Sequence, residues 1–399
     1  MANLRNRIAD LLINKLDLAF TLGRVFGLLP VLIMSRQITD TDVLAENVSH
    51  YQVAMFLATL VLYGAPQVYL VKQGLERRVF VFHMLISTLL FIAGLMIASV
   101  SGVAHGVILP FLFLVVFRSY YLLYASYLKT DKGRASFYLI GIAVCTLIIF
   151  ALTMNYALSG TLGFAFMLLL TVRLGYAKLV YAVIAARQYF TILRANAGYF
   201  ATFLMQQTYT QITLAVYAFV ANGTEYLLAT HMVYIYSLSF IFHGILFRFY
   251  LSKMSRQTQT SALRASLKQS LRLSLMLGVA AALTVVVGYV WIEKILFAKS
   301  LLTMPTAVML GVMIMLNSTN FGWSALFMSA RRPFQLSAIA AISTSIVVAG
   351  IFVTSMLSIE NGLVWAMIAG LTVQAVLRSI YGLRLLAKIT RGGYSNSEA

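Results

Sequence analysis

Apolar stretches recur along this chain from one end to the other. Each stretch is continuous rather than alternating, which is typical of membrane-spanning helices and excludes the strands of a membrane barrel. A helix needs about 20 such residues to cross roughly 30 Å of hydrocarbon. We therefore predict an all-α polytopic membrane protein of about twelve spans. The predicted spans are 17–36, 50–71, 79–101, 107–128, 135–154, 162–184, 197–219, 227–250, 269–291, 303–329, 334–357 and 363–383.

The composition agrees with this pattern. Hydrophobic residues make up 61% of the 399 residues and charged residues only 10%. The mean hydropathy is +0.88. Connectors between the predicted spans are no longer than about twenty residues, which leaves no room for a soluble catalytic domain. We therefore expect no enzyme, no catalytic residue and no cofactor, and the single cysteine, Cys145, excludes a disulfide framework.

The net charge of +19 follows from where the basic residues lie. Most of the 30 Lys and Arg fall in the two termini and in every second connector, as Lys72, Arg134 and Arg332 do. The other connectors hold most of the 11 acidic residues. This is the positive-inside pattern, and it predicts that both termini are cytoplasmic. The basic excess therefore sets the topology and does not indicate a nucleic-acid partner, and we expect the first span to act as an uncleaved anchor.

Weak internal similarity predicts a duplication. Tyr69 matches Tyr250 at an offset of 181, and Arg134 matches Arg332 at an offset of 198. Six spans per half is an even number, so both halves enter the membrane in the same direction. We therefore predict two parallel six-helix repeats, a lobe at 1–190 and a lobe at 191–399 that ends in a short cytoplasmic tail.

The first two spans carry a family resemblance. Arg36 closes the first span, an acidic connector follows, and the second span carries Gly64 and ends at the basic Lys72. This arrangement resembles the start of Wzx-type lipid-linked oligosaccharide flippases, in the multidrug/oligosaccharidyl-lipid/polysaccharide (MOP) superfamily. The number of spans and the duplication extend the resemblance over the whole chain.

The resemblance implies a MOP-like fold and alternating-access transport. It implies that the chain moves a polyprenyl-diphosphate-linked oligosaccharide across the bacterial cytoplasmic (inner) membrane for O-antigen, lipopolysaccharide or other surface polysaccharide synthesis. The partners implied are the lipid-linked glycan, membrane lipid, and a glycan polymerase with other polysaccharide-assembly proteins.

Basic residues inside the predicted spans supply the main candidate chemistry. Arg118 and Arg173 lie about eleven residues from their span ends, roughly 16 Å deep at 1.5 Å per residue. A charge at that depth costs at least ~2.5–3.5 kcal/mol, so it should face a wet cavity or a partner. Arg24 lies less deep, and the only acid we assign to a span is Asp17, at the entrance of the first. These cations suit an anionic substrate, because the Arg donor fork matches phosphate oxygens. Alternatively, they bond backbone carbonyls at kinks.

Polar and aromatic side chains complete the predicted site. Tyrosines follow Arg118 and Arg173 by three residues, which places each pair on one helix face. Amides in the seventh and tenth spans could read sugar hydroxyls or simply join helices. The predicted substrate-binding residues are Arg24, Arg118, Arg173, Tyr121, Tyr176, Gln207, Gln211, Asn317 and Asn320. Two prolines, Pro30 and Pro66, are predicted gating bends, although membrane helices often tolerate proline. The histidines lack metal-ligand spacing, so no metal site is predicted.

Three other functions remain possible from the sequence. A MATE-like drug exporter would use buried carboxylates for ion coupling, and none is predicted at depth. A major-facilitator carrier normally carries a Gly-x-x-x-Asp-Arg/Lys connector, which Gly74-Leu75-Glu76-Arg77-Arg78 matches only faintly. A membrane glycan polymerase needs a long outer loop, and the outer connectors here are short. The flippase is the function that we predict.

Overall fold

The computed structural model describes eleven stretches of the chain. They are residues 27–62, 88–97, 99–100, 105–127, 132–173, 191, 212–221, 223–255, 257, 259–330 and 332–392. Every regular element in these ranges is an α-helix. The chain divides into two compact units, Met1–Leu204 and Met205–Ala399.

The described part of the first unit contains six helices. They are α1 (27–37), α2 (Thr41–Leu62), α3 (Thr88–Ile97), α4 (His105–Tyr127), α5 (Lys132–Thr153) and α6 (Tyr156–Arg173). Helix α4 packs against α2, α5 and α6. The unit is therefore organised around α4, the helix that carries Arg118.

An aromatic cluster joins these helices. The ring of Phe113 on α4 lies 5.6 Å from the ring of Phe150 on α5 and 5.5 Å from that of Tyr156 on α6. Tyr156 also stacks on Tyr51 of α2 at 6.0 Å. Such pairs add about 0.5–1.5 kcal/mol each beyond their buried area. The cluster therefore holds α4 in a defined register, one turn before Arg118.

The described part of the second unit contains eight helices. They are α7 (212–217), α8 (Gly223–Ser239), α9 (Ile241–Ser255), α10 (Thr260–Phe297), α11 (Met304–Ser318), α12 (Asn320–Ser329), α13 (Pro333–Met356) and α14 (Gly362–Gly392). Three of the described helices, α10, α13 and α14, are each long and apolar enough to cross a membrane. The pair α8 and α9, bent by 42°, qualifies as a fourth, broken span.

A stripe of small residues lets the helices of this unit approach closely. Ser266, Ser270, Ser274, Gly278 and Ala282 recur at every fourth position of α10, and all are buried. Helix α10 packs along this face against α9, α11 and α12. Small residues at this spacing are the usual means of close helix packing in membranes.

Several predicted spans differ from the structure, among them the eighth, predicted as one span at 227–250 and bent between α8 and α9. The tenth, predicted as one span at 303–329, forms two helices, α11 and α12, that meet at Thr319, where the helical hydrogen bonding is interrupted while the backbone stays in the right-handed helical region. The ninth, predicted at 269–291, is the middle of the 38-residue helix α10. The basic connector before it is rich in Ala, Leu, Arg, Lys and Gln, which favour helix, so the helix continues through it.

Candidate functional site

The break in the tenth span is polar. Asn317 and Asn320 lie on either side of it, and the Asn320 amide Nδ2 donates to Asn317 Oδ1 at 2.9 Å. The hydroxyls of Ser318 and Thr319 donate back to the carbonyls of Met315 and Leu316, at 2.6 and 3.3 Å. Ser, Thr and Asn side chains compete in this way with the helical backbone, and the local run of such residues explains the break.

Arg378 of α14 reaches into this break. Its guanidinium Nη1 donates to the main-chain oxygen of Asn320 at 3.2 Å and to the Ser324 hydroxyl at 2.8 Å. Arg378 is only 3% exposed. The sequence analysis did not select it as a site residue. Its contacts match the alternative considered for the other arginines, a cation that bonds a carbonyl at a kink.

The cluster of Asn317, Asn320, Ser324 and Arg378, called here the break cluster, combines amide, hydroxyl and guanidinium groups. Asn320 is 1% exposed, and its amide oxygen accepts no hydrogen bond from any described residue. A buried acceptor without a hydrogen bond lowers stability by about 1–3 kcal/mol, so the site favours a ligand that supplies a donor such as a hydroxyl. The groups present could bind phosphate oxygens or sugar hydroxyls.

A second polar site lies at the far end of α10. His231 Nδ1 of α8 and Glu293 Oε1 are 2.7 Å apart, and both side chains are fully buried. The other carboxylate oxygen of Glu293 accepts the N–H groups of Leu301 and Leu302, each at 2.8 Å. Phe297 stacks on the imidazole, with ring centroids 3.8 Å apart. The pair therefore joins α8, α10 and the loop that follows α10.

Local geometry allows this contact. Helix α10 ends at Phe297, and the φ of 55° at the next residue, Ala298, lies in the left-handed region. That turn brings the N–H groups of the following loop back toward the last turns of the helix. A carboxylate with several charge-assisted hydrogen bonds is the form in which a buried acid is stabilised.

Glu293 corrects one expectation. The sequence analysis placed it in an exposed outer connector and assigned no acid other than Asp17 to the spans. The structure places Glu293 within α10, fully buried. The predicted end of the ninth span, residue 291, fell just short of it. The chain therefore has a buried carboxylate in the last turns of α10, which the sequence analysis did not count.

The structure describes only some of the remaining predicted site residues. Arg24, Tyr176, Gln207, Gln211 and Pro66 lie outside the described residues. The backbones of Arg118 and Tyr121 lie in α4 and that of Arg173 in α6, but their side chains are not described. Pro30 is buried within α1, and its gating role stays a prediction. Of the predicted residues, the structure brings Asn317 and Asn320 together.

The helix boundaries change the expected depth of Arg173. Helix α6 begins at Tyr156, six residues before the predicted start of the sixth span. Arg173 thus lies about 26 Å along α6 at 1.5 Å per residue, at the end of its described length and not at its middle. Arg118 lies about 20 Å along α4, which continues to Tyr127. Arg118 is therefore the stronger of the two candidates.

Comparisons with known proteins identify the fold. Neither protein-family models nor curated protein sequences match the chain. An inward-facing multidrug resistance MATE family transporter of the MOP superfamily is similar over 93% of this chain and 96% of its own, with 13% identity and a TM-score of 0.67. MATE in the bent conformation is similar over 96% of both chains, with 12% identity and a TM-score of 0.63. A MOP superfamily transporter from Pyrococcus furiosus, described as having a binding pocket of reversed polarity, is similar over 94% of this chain and 95% of its own, with 13% identity and a TM-score of 0.60.

These neighbours are transporters rather than enzymes, and at such low identity the likeness establishes the fold alone. It confirms the predicted fold class. The chain is an all-α, multi-pass membrane protein with the fold of MOP superfamily transporters.

Proposed function

We propose that this chain is a flippase for a polyprenyl-diphosphate-linked oligosaccharide, working by alternating access in the bacterial cytoplasmic membrane. The observation that carries the proposal is the break cluster, in which the buried amide oxygen of Asn320 has no hydrogen-bond donor among the described residues. Polar groups at membrane depth are costly and generally functional. Guanidinium and amide groups are the chemistry that binds phosphate and sugar hydroxyls.

Each half of the chain has a part in the proposed mechanism. Arg118, with Arg24 and Arg173, holds the diphosphate in the first lobe, 1–190. Asn317 and Asn320 in the second lobe, 191–399, contact the glycan together with Gln207 and Gln211. The prenyl tail stays in the lipid, and the bends at Pro30 and Pro66 contribute to gating. Both termini are cytoplasmic, and a glycan polymerase with other assembly proteins receives the product.

Complementation tests the proposal in cells. The chain is expressed in its source strain after deletion of its own gene, and surface polysaccharide is measured together with the membrane level of each variant. We expect deletion to abolish the polysaccharide and the wild-type gene to restore it. Asn320→Ala should lower display at normal abundance, whereas Lys294→Gln, an exposed residue near the end of α10, should leave it unchanged. Normal polysaccharide in the deletion strain would refute the proposal.

A second candidate function is an ion-coupled, MATE-like exporter of small molecules. The observation that favours it is the buried His231–Glu293 pair, since a buried titratable carboxylate is what ion coupling requires. Drug susceptibility distinguishes the two functions. An exporter would raise resistance on expression and lose that effect in Glu293→Gln, whereas a glycan flippase would not alter resistance. The structural neighbours reported above give no support to a major-facilitator carrier or a glycan polymerase.

A further inference from the structure

Two helices of the second unit are longer than a membrane requires. Helix α10 has 38 residues and α14 has 31, or about 57 Å and 46 Å at 1.5 Å per residue, against roughly 30 Å of hydrocarbon. The first turns of α10 and the last turns of α14 are in contact, since Arg264 Nη2 donates to the Thr390 hydroxyl at 2.8 Å. The start of α10 and the end of α14 therefore lie side by side.

The two helices run antiparallel from this contact. Leu271 on α10 lies against Gly322, and Gly382 on α14 lies against the neighbouring Trp323. Leu271 lies seven residues after Arg264 on α10, and Gly382 lies eight residues before Thr390 on α14. The two stretches therefore cover nearly the same length of helix. Residues 264–271 of α10 and 382–390 of α14 therefore occupy the same band of the unit, which extends about 12 Å along the helix axes.

Five exposed cations fall in or beside that band. They are Arg264, Lys268 and Arg272 on α10, and Arg384 and Lys388 on α14. The spacing of four residues places each helix's cations on one face. We call this surface the basic band. The two helices thus bring their cations to one level of the unit.

Among the described residues, the basic band has no acidic counterpart. The sequence contains no Asp or Glu between Glu225 and Glu293, nor between Glu360 and Glu398. Within the described part of the chain, no carboxylate pairs with any of the five cations. Like charges four residues apart destabilise a helix by about 0.2–0.5 kcal/mol per pair. The positive-inside pattern depends on how many cations a segment carries, and not on their alignment along one face of a helix. The alignment therefore favours an anionic ligand.

Exposed apolar side chains directly adjoin the basic band. Leu275 and Met276 follow Arg272 on α10, and Ile380 and Leu383 precede Arg384 on α14; all four are more than 40% exposed. Measured from Gly362, Arg384 lies about 33 Å along α14, just beyond one hydrocarbon thickness. The band therefore borders an apolar surface at the level of the lipid headgroups.

We propose that the basic band binds the anionic phosphate headgroups of membrane lipids whose acyl chains lie on the adjoining apolar surface. A headgroup phosphate would bridge α10 and α14 and offset the repulsion between their cations. The proposal concerns this surface alone and holds whichever substrate the transporter carries. Nucleic acids fit less well, because they have no apolar chains to cover Leu275, Met276 and Leu383. An acidic protein would need carboxylates and an apolar patch in register with both surfaces, which a lipid supplies in one molecule.

Lipid binding to the purified full-length protein tests the proposal. Native mass spectrometry in detergent measures binding of phosphatidylglycerol, phosphatidylcholine and inorganic pyrophosphate. We expect phosphatidylglycerol to bind most tightly. Lys268→Gln should weaken it about five-fold, equivalent to the ~1 kcal/mol that each cation contributes near an anionic surface. Neutralising all five cations to Gln should remove the preference over phosphatidylcholine.

Two controls separate charge from folding. Lys294→Gln removes an exposed charge from the other end of α10 and should leave the preference intact. Replacing Arg264, Arg272 and Arg384 together by Lys keeps the charge and should also keep it. Equal binding of the two lipids by the wild-type protein, or an unchanged preference after neutralisation, would overturn the proposal. Pyrophosphate binding as tight as phosphatidylglycerol binding would overturn the assignment to membrane lipids.

Discussion

Glu293 and His231 are 62 positions apart in the sequence, yet their side chains meet at 2.7 Å in a fully buried contact. Glu293 also accepts two main-chain N–H groups. One carboxylate thus holds together helix α8, the end of α10 and the loop before α11. Its removal would leave both the imidazole and the loop amides without their acceptor.

The first prediction concerns this carboxylate. Glu293→Gln keeps the shape but removes the charge and turns one acceptor into a donor that faces N–H groups. We expect the free energy of unfolding to fall by about 1.5–3 kcal/mol, the usual worth of hydrogen bonds to a charged group. Thermal unfolding in detergent measures this. Glu360→Gln, at an exposed position, should change it by no more than about 0.5 kcal/mol. Equal stability of the two variants would show that the pair does not hold the unit together.

Arg378 gives the second prediction. Arg378→Met removes the donor to the Asn320 carbonyl and the Ser324 hydroxyl, and should destabilise the protein by about 1.5–3 kcal/mol. Arg378→Lys should recover part of the loss, since an ammonium can still donate but lacks the planar fork. The same unfolding assay applies, with Lys294→Gln as the control. An Arg378→Met variant as stable as the wild type would show that Arg378 does not stabilise the broken span.

The third prediction tests close packing between α12 and α14. A Cβ at Gly382 would overlap the ring of Trp323. Gly382→Ala should therefore cost about 1–3 kcal/mol despite the better helix propensity of alanine. Gly288→Ala, also in a helix, meets only Ile292 Cδ1 at 3.5 Å and should be neutral or slightly stabilising. Similar stability of both alanine variants would contradict the described packing.

Properties that depend on local sequence were predictable. Continuous apolar stretches predicted a helical membrane protein, because a membrane span is surrounded by lipid hydrocarbon and not by water. Asn317 and Asn320 lie three residues apart, a spacing that places neighbours on one helix face, and their side chains are in contact in the structure. The break at Thr319 also had a local signal, the run Asn317-Ser318-Thr319-Asn320, but the sequence analysis considered its amides only as groups that bind sugar or join helices.

Contacts between distant residues were not predictable. Arg378 bonds residues 54 and 58 positions away, and nothing near it in the sequence indicates them. Glu293 was assigned to a connector because span boundaries inferred from hydropathy are uncertain by a few residues. At the end of a span, that uncertainty decides whether an acid is exposed or buried.

The fourth prediction concerns topology. In a Cys145→Ala background, cysteine at position 42 or 360 should react with impermeant thiol reagents from outside the cell. Cysteine at position 132 or 332 should react only after the membrane is permeabilised, because the positive-inside pattern places these connectors in the cytoplasm. The opposite labelling at either pair would contradict the predicted orientation.

Reconstituted flipping of a lipid-linked glycan tests the central claim most directly. The purified chain is placed in proteoliposomes with a fluorescent polyprenyl-diphosphate oligosaccharide made from its source strain, and movement to the opposite leaflet is followed. We predict that the wild-type protein accelerates flipping and that Arg118→Gln slows it about ten-fold or more, as expected for loss of a charged hydrogen bond to phosphate. Arg118→Lys should recover part of the rate, and Lys294→Gln all of it. No flipping by the wild-type protein, or an unchanged rate in Arg118→Gln, would contradict the account.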